Sequence, residues 1–540
     1  MPAAYREHHP HPHKSPSPKP KERPSSPRIK PWLLPQTLLE QLITLPQQLL
    51  FVLLGMLGLA SYARQIVRVN AAKPAEIVLK NKKKEDVASW INRNTPSLSG
   101  TFKPAWWAPK EAGRELAEPE RELTPSGHMQ TAFTVTGDFT DTDHVDYART
   151  LLRVPDGGTI ALDITPPSHA SLPADAPTIV VCHGLTGNAR EAYVRNVLHW
   201  AALPESHGGL GARGVVVNFR GCGGTPLTSA QLYSAATTCD LNTAVHYLRN
   251  RFPESSLLGV GFSLGASVMA RYLGERGESS LLSSGCVLAA PWDVVALSHA
   301  LEDGWFSSRV YSKALGENLI RMFFRNFDAH PEIKWTETQR QAAVELKKLQ
   351  DKGPVRLKTV DEVLTIKVGG PQPPFPFASA DDYYTYAGSH KLIENVAVPT
   401  LGINAFDDPV VHGSALPFTQ VQKGSHVQLA VTGGGGHLGW FDGPFWSKTR
   451  WVRIPIAEFL SAGARDLPPR AEVETEVNGQ LDVEEGVMES DAEYGQGQWQ
   501  WCKGPLMIPQ MGATPTRIGW RVVAEGMEVP DLKAPVIQGL

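Results

Sequence analysis

From residue 147 onward, short continuous apolar runs alternate with longer stretches of helical periodicity. Thr178-Ile-Val-Val-Cys182 and Gly214-Val-Val-Val-Asn218 are apolar without a polar alternate, the pattern of strands covered on both faces of a sheet. Ser256–Phe262, Cys286–Ala290, Pro399–Asn404 and Val427–Val431 share that character. Helices are predicted over residues 191–202, from Asp240 to Phe252, from Leu264 to about Gly274 and from Ile454 to Leu460. Tyr147–Asp163 reads as two strands joined through the Asp156-Gly157-Gly158 turn. This order of strand, helix and strand specifies an α/β fold, a mostly parallel sheet flanked by helices on both faces.

The alternation breaks at residue 294. The next hundred residues hold helical pieces such as Thr336 to Lys352 and the proline-rich loop Gly369–Phe377, before the sheet resumes at Pro399. An insertion of that length between two strands is expected to form a helical cap over a site. The chain then divides into a core, 121–293 and 397–462, interrupted by a cap, 294–396. A linker and wrap, 67–120, leads into the core, and an acidic, largely irregular extension, 463–540, follows it.

The ends differ from the core in charge. Residues 1–35 form a basic His/Pro-rich tail, with seven Lys/Arg against two Glu in the first thirty positions. Residues 472–493 carry nine Asp/Glu and no Lys or Arg. Segments so poor in apolar surface are expected to stay disordered. His8, His9, His11 and His13 are separated by prolines and are read as a solvated tail, with no metal site expected. A formal net charge of −3 excludes the strongly basic balance of a nucleic-acid-binding domain. Five cysteines, none in a C-x-x-C pair, exclude a disulfide scaffold and fit a reducing, intracellular compartment. Within 36–66, Leu49 to Ala63 is uncharged. Fifteen helical residues span about 22 Å, short of the ~20 residues a bilayer core requires. The segment is read as a membrane anchor inserted from one side, with a helix packed on the domain as the alternative.

Gly261-Phe262-Ser263-Leu264-Gly265 fits G-x-S-x-G at the junction of an apolar strand and a helix. There the serine occupies a sharp turn that only glycine neighbours permit. The acid and histidine of such a triad follow in that chain order. Asp408, after the strand ending at Asn404, is the expected acid, with Asp407 as competitor and turn cap. His437 follows Gly433-Gly-Gly-Gly436 and is the expected base, on a loop read as flexible. His437 would take the Ser263 proton and Asp408 would fix the imidazole tautomer. Backbone N–H groups of Leu264 and Leu185 are the expected oxyanion donors. Lesser alternatives are Cys222 as nucleophile, His412 as base, and His437-x-x-x-x-Asp442 as an acyltransferase pattern. His183 is read as supporting its loop.

The chain resembles the α/β-hydrolase branch that includes the membrane-anchored α/β-hydrolase-domain lipid hydrolases of mammals and the yeast medium-chain fatty acid ethyl ester synthase/esterases. The resemblance rests on Ser126-Gly-His-Met-Gln-Thr131, His183-Gly-Leu-Thr-Gly187, Asn218-Phe-Arg-Gly-Cys-Gly-Gly-Thr225, Gly261-Phe-Ser-Leu-Gly-Ala266, Asp381-Asp-Tyr-Tyr384, Asn404-Ala-Phe-Asp-Asp-Pro409 and Gly436-His-Leu-Gly-Trp440. It implies the same triad, Ser263, Asp408 and His437. It also implies an acyl ester or acyl-CoA as substrate, transfer of the acyl group to water or an alcohol, no cofactor, and membrane association through the N-terminal segment. A monoacylglycerol lipase or phospholipase, and a non-catalytic binding module, are the alternative functions.

Overall fold

The computed structural model describes residues 64–102, 125–443, 447–471, 483–491, 495–502 and 519–523. The basic tail and the segment read as an anchor, up to residue 63, lie outside these residues, as does most of the acidic extension.

Twelve strands of the described residues form one sheet. In chain order they are β1 (Val67–Val69), β2 (Ala148–Arg153), β3 (Thr159–Thr165), β4 (Thr178–Cys182), β5 (Arg213–Asn218), β6 (Leu257–Phe262), β7 (Ser284–Leu288), β8 (Thr400–Ala405), β9 (Val427–Thr432), β10 (Val483–Asp491), β11 (Gly495–Cys502) and β12 (Gly519–Val522). Their spatial order is β10-β11-β12-β2-β3-β5-β4-β6-β7-β8-β9-β1. The centre, β5-β4-β6-β7-β8-β9, is parallel throughout. Every residue of these six strands is buried, as expected where helices cover both faces. Two large apolar clusters pack on the sheet, one including Leu241, Val245 and Met269, the other Val194, Ile456 and Phe459.

The helices that bear on the site are α1 (Pro125–Thr136), α2 (Ala192–Ala202), α3 (Cys239–Arg251), α4 (Leu264–Arg276), α5 (Val294–Asp303), α6 (Tyr311–Ala329), α7 (Glu337–Gln350), α8 (Ala380–Ala387) and α9 (Arg453–Asp466). The chain between β7 and β8 is helical, from α5 to α8. Thr336 opens α7 with a reciprocal capping box to Gln339, satisfying two amides that a helix start would otherwise leave unpaired.

Two sequence expectations need correction. Residues 67–69 of the supposed linker form β1, antiparallel to β9 at the sheet edge. The supposedly irregular C-terminal extension supplies β10, β11 and β12, which carry the opposite edge past β2. Acidic composition obscured a period-two pattern, Gln498-Trp499-Gln500-Trp501, that suits a strand. Trp520 on β12 is buried and meets Tyr247 of α3 at a ring separation of 5.9 Å. Among the described residues no helix is long and apolar enough to cross a membrane.

Candidate active site

The register of the sheet gathers the site. Gly261 of β6 lies beside Cys182 of β4, and Phe262 lies beside Leu288 of β7. Neighbouring strand ends therefore finish at one level, and the loops that follow them converge there. Ser263 is held in the turn between β6 and α4 at φ 50°, ψ −121°, a region that costs a non-glycine residue on the order of 1–3 kcal/mol. Its amide donates to the Leu288 carbonyl at 2.9 Å, which anchors the turn to β7. Both flanking glycines are sterically required. A Cβ on Gly261 would lie 2.6 Å from the Ala266 Cα, and one on Gly265 would lie 2.3 Å from the Cys182 carbonyl oxygen.

Ser263 Oγ lies 2.8 Å from His437 Nε2, and His437 Nδ1 lies 2.8 Å from Asp408 Oδ2. The second carboxylate oxygen of Asp408 accepts from the amides of Val410 and Val411 at 2.8 and 2.9 Å. His437 and Asp408 are each only 1% exposed, so this ion-dipole chain works in a water-poor setting. Asp407 takes a different part: its Oδ1 accepts from the Gly436 amide at 2.9 Å, tying the acid loop to the histidine loop. Both ring nitrogens of His437 are thus engaged, which leaves none for Asp442. His412 Nδ1 pairs locally with Ser414 Oγ at 2.9 Å.

The histidine loop is clamped, where the sequence suggested freedom. Its glycines answer to geometry: Gly435 and Gly436 have φ of +145° and +57°. A Cβ on Gly436 would lie 2.4 Å from the Gly127 carbonyl oxygen of α1. The His437 amide donates to Thr131 Oγ1 at 2.8 Å, and Phe441 N donates to Gln130 Oε1 at 2.8 Å. A Cβ on Gly127 would fall 1.7 Å from the Asp407 carbonyl oxygen. One face of α1 therefore seats both catalytic-side loops, a role that residue spacing did not reveal.

The same helix brings His128 into the site. Its Nδ1 lies 2.5 Å from the Tyr311 hydroxyl of α6, and the two rings stack at 5.5 Å. Burial pushes the His128 pKa down to about 4 against an opposing pull from the Asp408 charge. The imidazole is therefore neutral at neutral pH. Burial, then the same carboxylate, pushes the Tyr311 hydroxyl well up.

The loop after β4 has most of its amides committed. Gly184 N donates to the Tyr193 hydroxyl at 3.1 Å, Thr186 N to the Tyr233 hydroxyl at 2.6 Å and Gly187 N to the Gly184 carbonyl at 3.1 Å. The Leu185 amide between them has no acceptor among the described residues, and neither has that of Leu264 at the start of α4. His183 is fully buried: its Nδ1 donates to the Gly184 carbonyl at 2.8 Å and its Nε2 accepts from Phe219 N at 3.3 Å. Burial holds its pKa at about 4, so it supports the loop as a neutral ring.

The stretch Asn218–Thr225 braces that loop from behind. Asn218 Oδ1 accepts from Ala189 N at 3.1 Å, and its amide nitrogen donates to Asp163 at 2.8 Å. Arg220, 1% exposed, pairs with both oxygens of Asp240 at 2.8 Å and with Asp156 at 2.5 Å. Cys222 is fully buried, and burial pushes its thiol up to about 11. A buried thiol that stays protonated is a poor nucleophile.

An apolar pocket of about 80 Å³ is lined by Leu185 and Leu264, by Leu297 and Leu301 of α5 and by Leu319 of α6. Asp361 and Tyr384 also line it.

A parallel sheet, a strained serine at a strand-to-helix turn and a histidine–carboxylate pair from later strand ends define an α/β hydrolase. The chain belongs to the α/β hydrolase fold family, whose pattern matches residues 177–444. It is similar to a monoacylglycerol lipase of Saccharomyces cerevisiae, 29% identical over 63% of this chain and 79% of that protein. An abhydrolase domain-containing protein of Dictyostelium discoideum is 32% identical over 57% and 71%. The medium-chain fatty acid ethyl ester synthase/esterase 2 of S. cerevisiae is 32% identical over 53% and 62%. These relatives lie in the branch that the motifs indicated, and at the level of that family the chain is an ester hydrolase.

Proposed function

We propose that the protein is a serine carboxylic-ester hydrolase that passes a medium-chain acyl group through Ser263 to water or to an alcohol. The observation that carries this reading is the unbroken line from Asp408 through His437 to Ser263, at 2.8 Å in each step. In the proposed reaction His437 Nε2 takes the Ser263 proton as Oγ bonds to the ester carbonyl carbon. The Leu264 and Leu185 amides receive the oxyanion, helped by the positive end of α4. His437 then returns the proton to the leaving alcohol or thiol as its bond to the acyl carbon breaks. Water or a second alcohol, deprotonated by His437, frees Ser263 in the mirror step. One relay serves hydrolysis and acyl transfer alike, and no cofactor enters either route.

A fluorophosphonate probe tests the reading directly. Wild type should label and Ser263→Ala should not; labelling of both would place the nucleophile elsewhere and refute the reading, and labelling of neither would refute it in favour of a non-catalytic binding role. Octanoyl-CoA with ethanol, run beside monoacylglycerol and phosphatidylcholine, then separates acyl transfer from lipid hydrolysis. The lipase reading has an observation of its own. Trp305 is 72% exposed and its neighbour Phe306 is 36% exposed, with the Phe306 ring 5.0 Å from that of His128. Aromatic rings so placed suit contact with a lipid surface.

A further inference from the structure

The pocket beneath the cap is lined by Leu185 and Leu264 and is mostly apolar, yet Asp361, Glu302 and Lys358 also line it. Asp361 is 5% exposed and opens a π-helical turn, Asp361–Thr365. Such turns are rare and recur at functional sites. Its Oδ2 accepts from the Tyr384 hydroxyl of α8 at 2.7 Å, and Thr365 supplies a second hydrogen bond. A carboxylate offers about four acceptor directions, so acceptor capacity remains toward the pocket. Among the described residues no cation forms an ion pair with it. Lys358, on the preceding turn, pairs with Asp381 at 2.7 Å, and Arg356 approaches Glu302 at 3.5 Å. The other charges facing it, Glu302 on α5 and Glu362 beside it, are of its own sign. The Tyr383 hydroxyl oxygen of α8 accepts from the Ala235 amide at 3.2 Å.

The lining of the pocket bears on what enters it. In the reaction proposed above, the leaving group must sit at His437 Nε2, which protonates it. The pocket is lined by Leu185 and Leu264, whose amides are the proposed oxyanion donors, so it adjoins the carbonyl that Ser263 would attack and is assigned to the acyl chain. A plain alkyl chain would seal a buried carboxyl against methylenes and leave its remaining lone pairs without donors, at real cost. We propose that Asp361 is a specificity-determining residue, and that the part of this pocket lined by Asp361 is a subsite for a hydroxyl group carried on the acyl chain, which donates to the Asp361 carboxyl. The subsite rests on Ser263 being the acylated residue. Burial, opposed by Thr365 and Tyr384 and reinforced by Glu302 and Glu362, raises the Asp361 pKa to about 6. Above that value the carboxylate demands a donor; below it, the neutral acid tolerates an alkyl chain.

The test compares kcat/KM of the full chain for p-nitrophenyl hexanoate and octanoate with that for their terminally hydroxylated counterparts, at about pH 5 and pH 8. Wild type should prefer a hydroxylated ester by about tenfold at pH 8, a preference falling below about threefold at pH 5. Asp361→Leu should abolish the preference at both pH values, and Asp361→Asn should make it independent of pH. Tyr384→Phe, which keeps the acid but removes one of its own donors, should enlarge the preference. Turnover that depends on Ser263 but shows no preference for the hydroxyl at either pH overturns the subsite alone, as does a preference surviving Asp361→Leu. Turnover that survives Ser263→Ala overturns the catalytic reading and the subsite with it. The wild-type pH comparison stands even if a variant fails to fold.

Discussion

Replacing Asp408 with Asn tests the relay with its geometry kept. The two carboxylate oxygens have different duties: Oδ1 accepts from the Val410 and Val411 amides, and Oδ2 faces His437 Nδ1. In Asp408→Asn the side-chain oxygen must stay with the two amides, because an NH2 group there would oppose two donors. The NH2 group then faces His437 and donates to Nδ1. The imidazole is forced into the tautomer with its proton on Nε2, the atom that must accept from Ser263. Loss of the right tautomer in a comparable triad costs about 10⁴ in kcat, equivalent to about 5.5 kcal/mol at 1.36 kcal/mol per tenfold. The neighbouring change, Asp407→Asn, keeps an oxygen for the Gly436 amide and should leave kcat within about fivefold. The assay is steady-state hydrolysis of p-nitrophenyl butyrate, normalised to folded protein by circular dichroism. Retention of a tenth or more of wild-type kcat by Asp408→Asn, or equal losses in the two variants, would refute the assignment of the acid.

Other outcomes follow from the same contacts. Thr131→Val removes the acceptor for the buried His437 amide and should cost about 1–3 kcal/mol in stability, with kcat falling more than KM changes; thermal melts and steady-state kinetics check both. Arg220→Met leaves Asp240 and Asp156 without their cation and should destabilise the fold by about 3–5 kcal/mol in urea titration. His183 is neutral in the fold with a pKa of about 4, whereas the unfolded chain takes up its proton near pH 6.5. Its contribution is complete above pH 6.5 and is lost as pH falls toward 4, by about 3 kcal/mol at 1.36 kcal/mol per unit. Denaturant titrations between those pH values should show a shallower acid slope in His183→Gln than in wild type.

The parts of the fold nearest the chemistry were the most legible in sequence. The central strands are apolar without interruption because both their faces are covered, and that pattern survives any tertiary detail. Ser263, Asp408 and His437 could be ordered because each follows such a strand. The glycines before His437 were visible, but their purpose was not. Their reason lies in α1, about 300 residues away in the chain, whose Gly127, Gln130 and Thr131 press on them. His128 was hidden for the same reason, since its partner Tyr311 belongs to the cap. Asp361 shows no sequence signal at all: it is one acid among several in a helical stretch, and only burial sets it apart. At the edges of the sheet, composition misled, because charge density says little about backbone pairing.

The last strand has a practical bearing on how the enzyme is handled. β12 pairs with β2 from Gly519↔Arg153 to Val522↔Thr150, and β11 and β10 extend the sheet beyond it, so the C-terminal strands are a seam along one side of the sheet. Trimming the chain near residue 470, where composition invites a cut, would bare the hydrogen-bonding groups of Ala148–Arg153. An uncovered edge of that kind recruits other chains. Poor solubility of a shortened protein would then reflect a missing seam, with the catalytic half left intact.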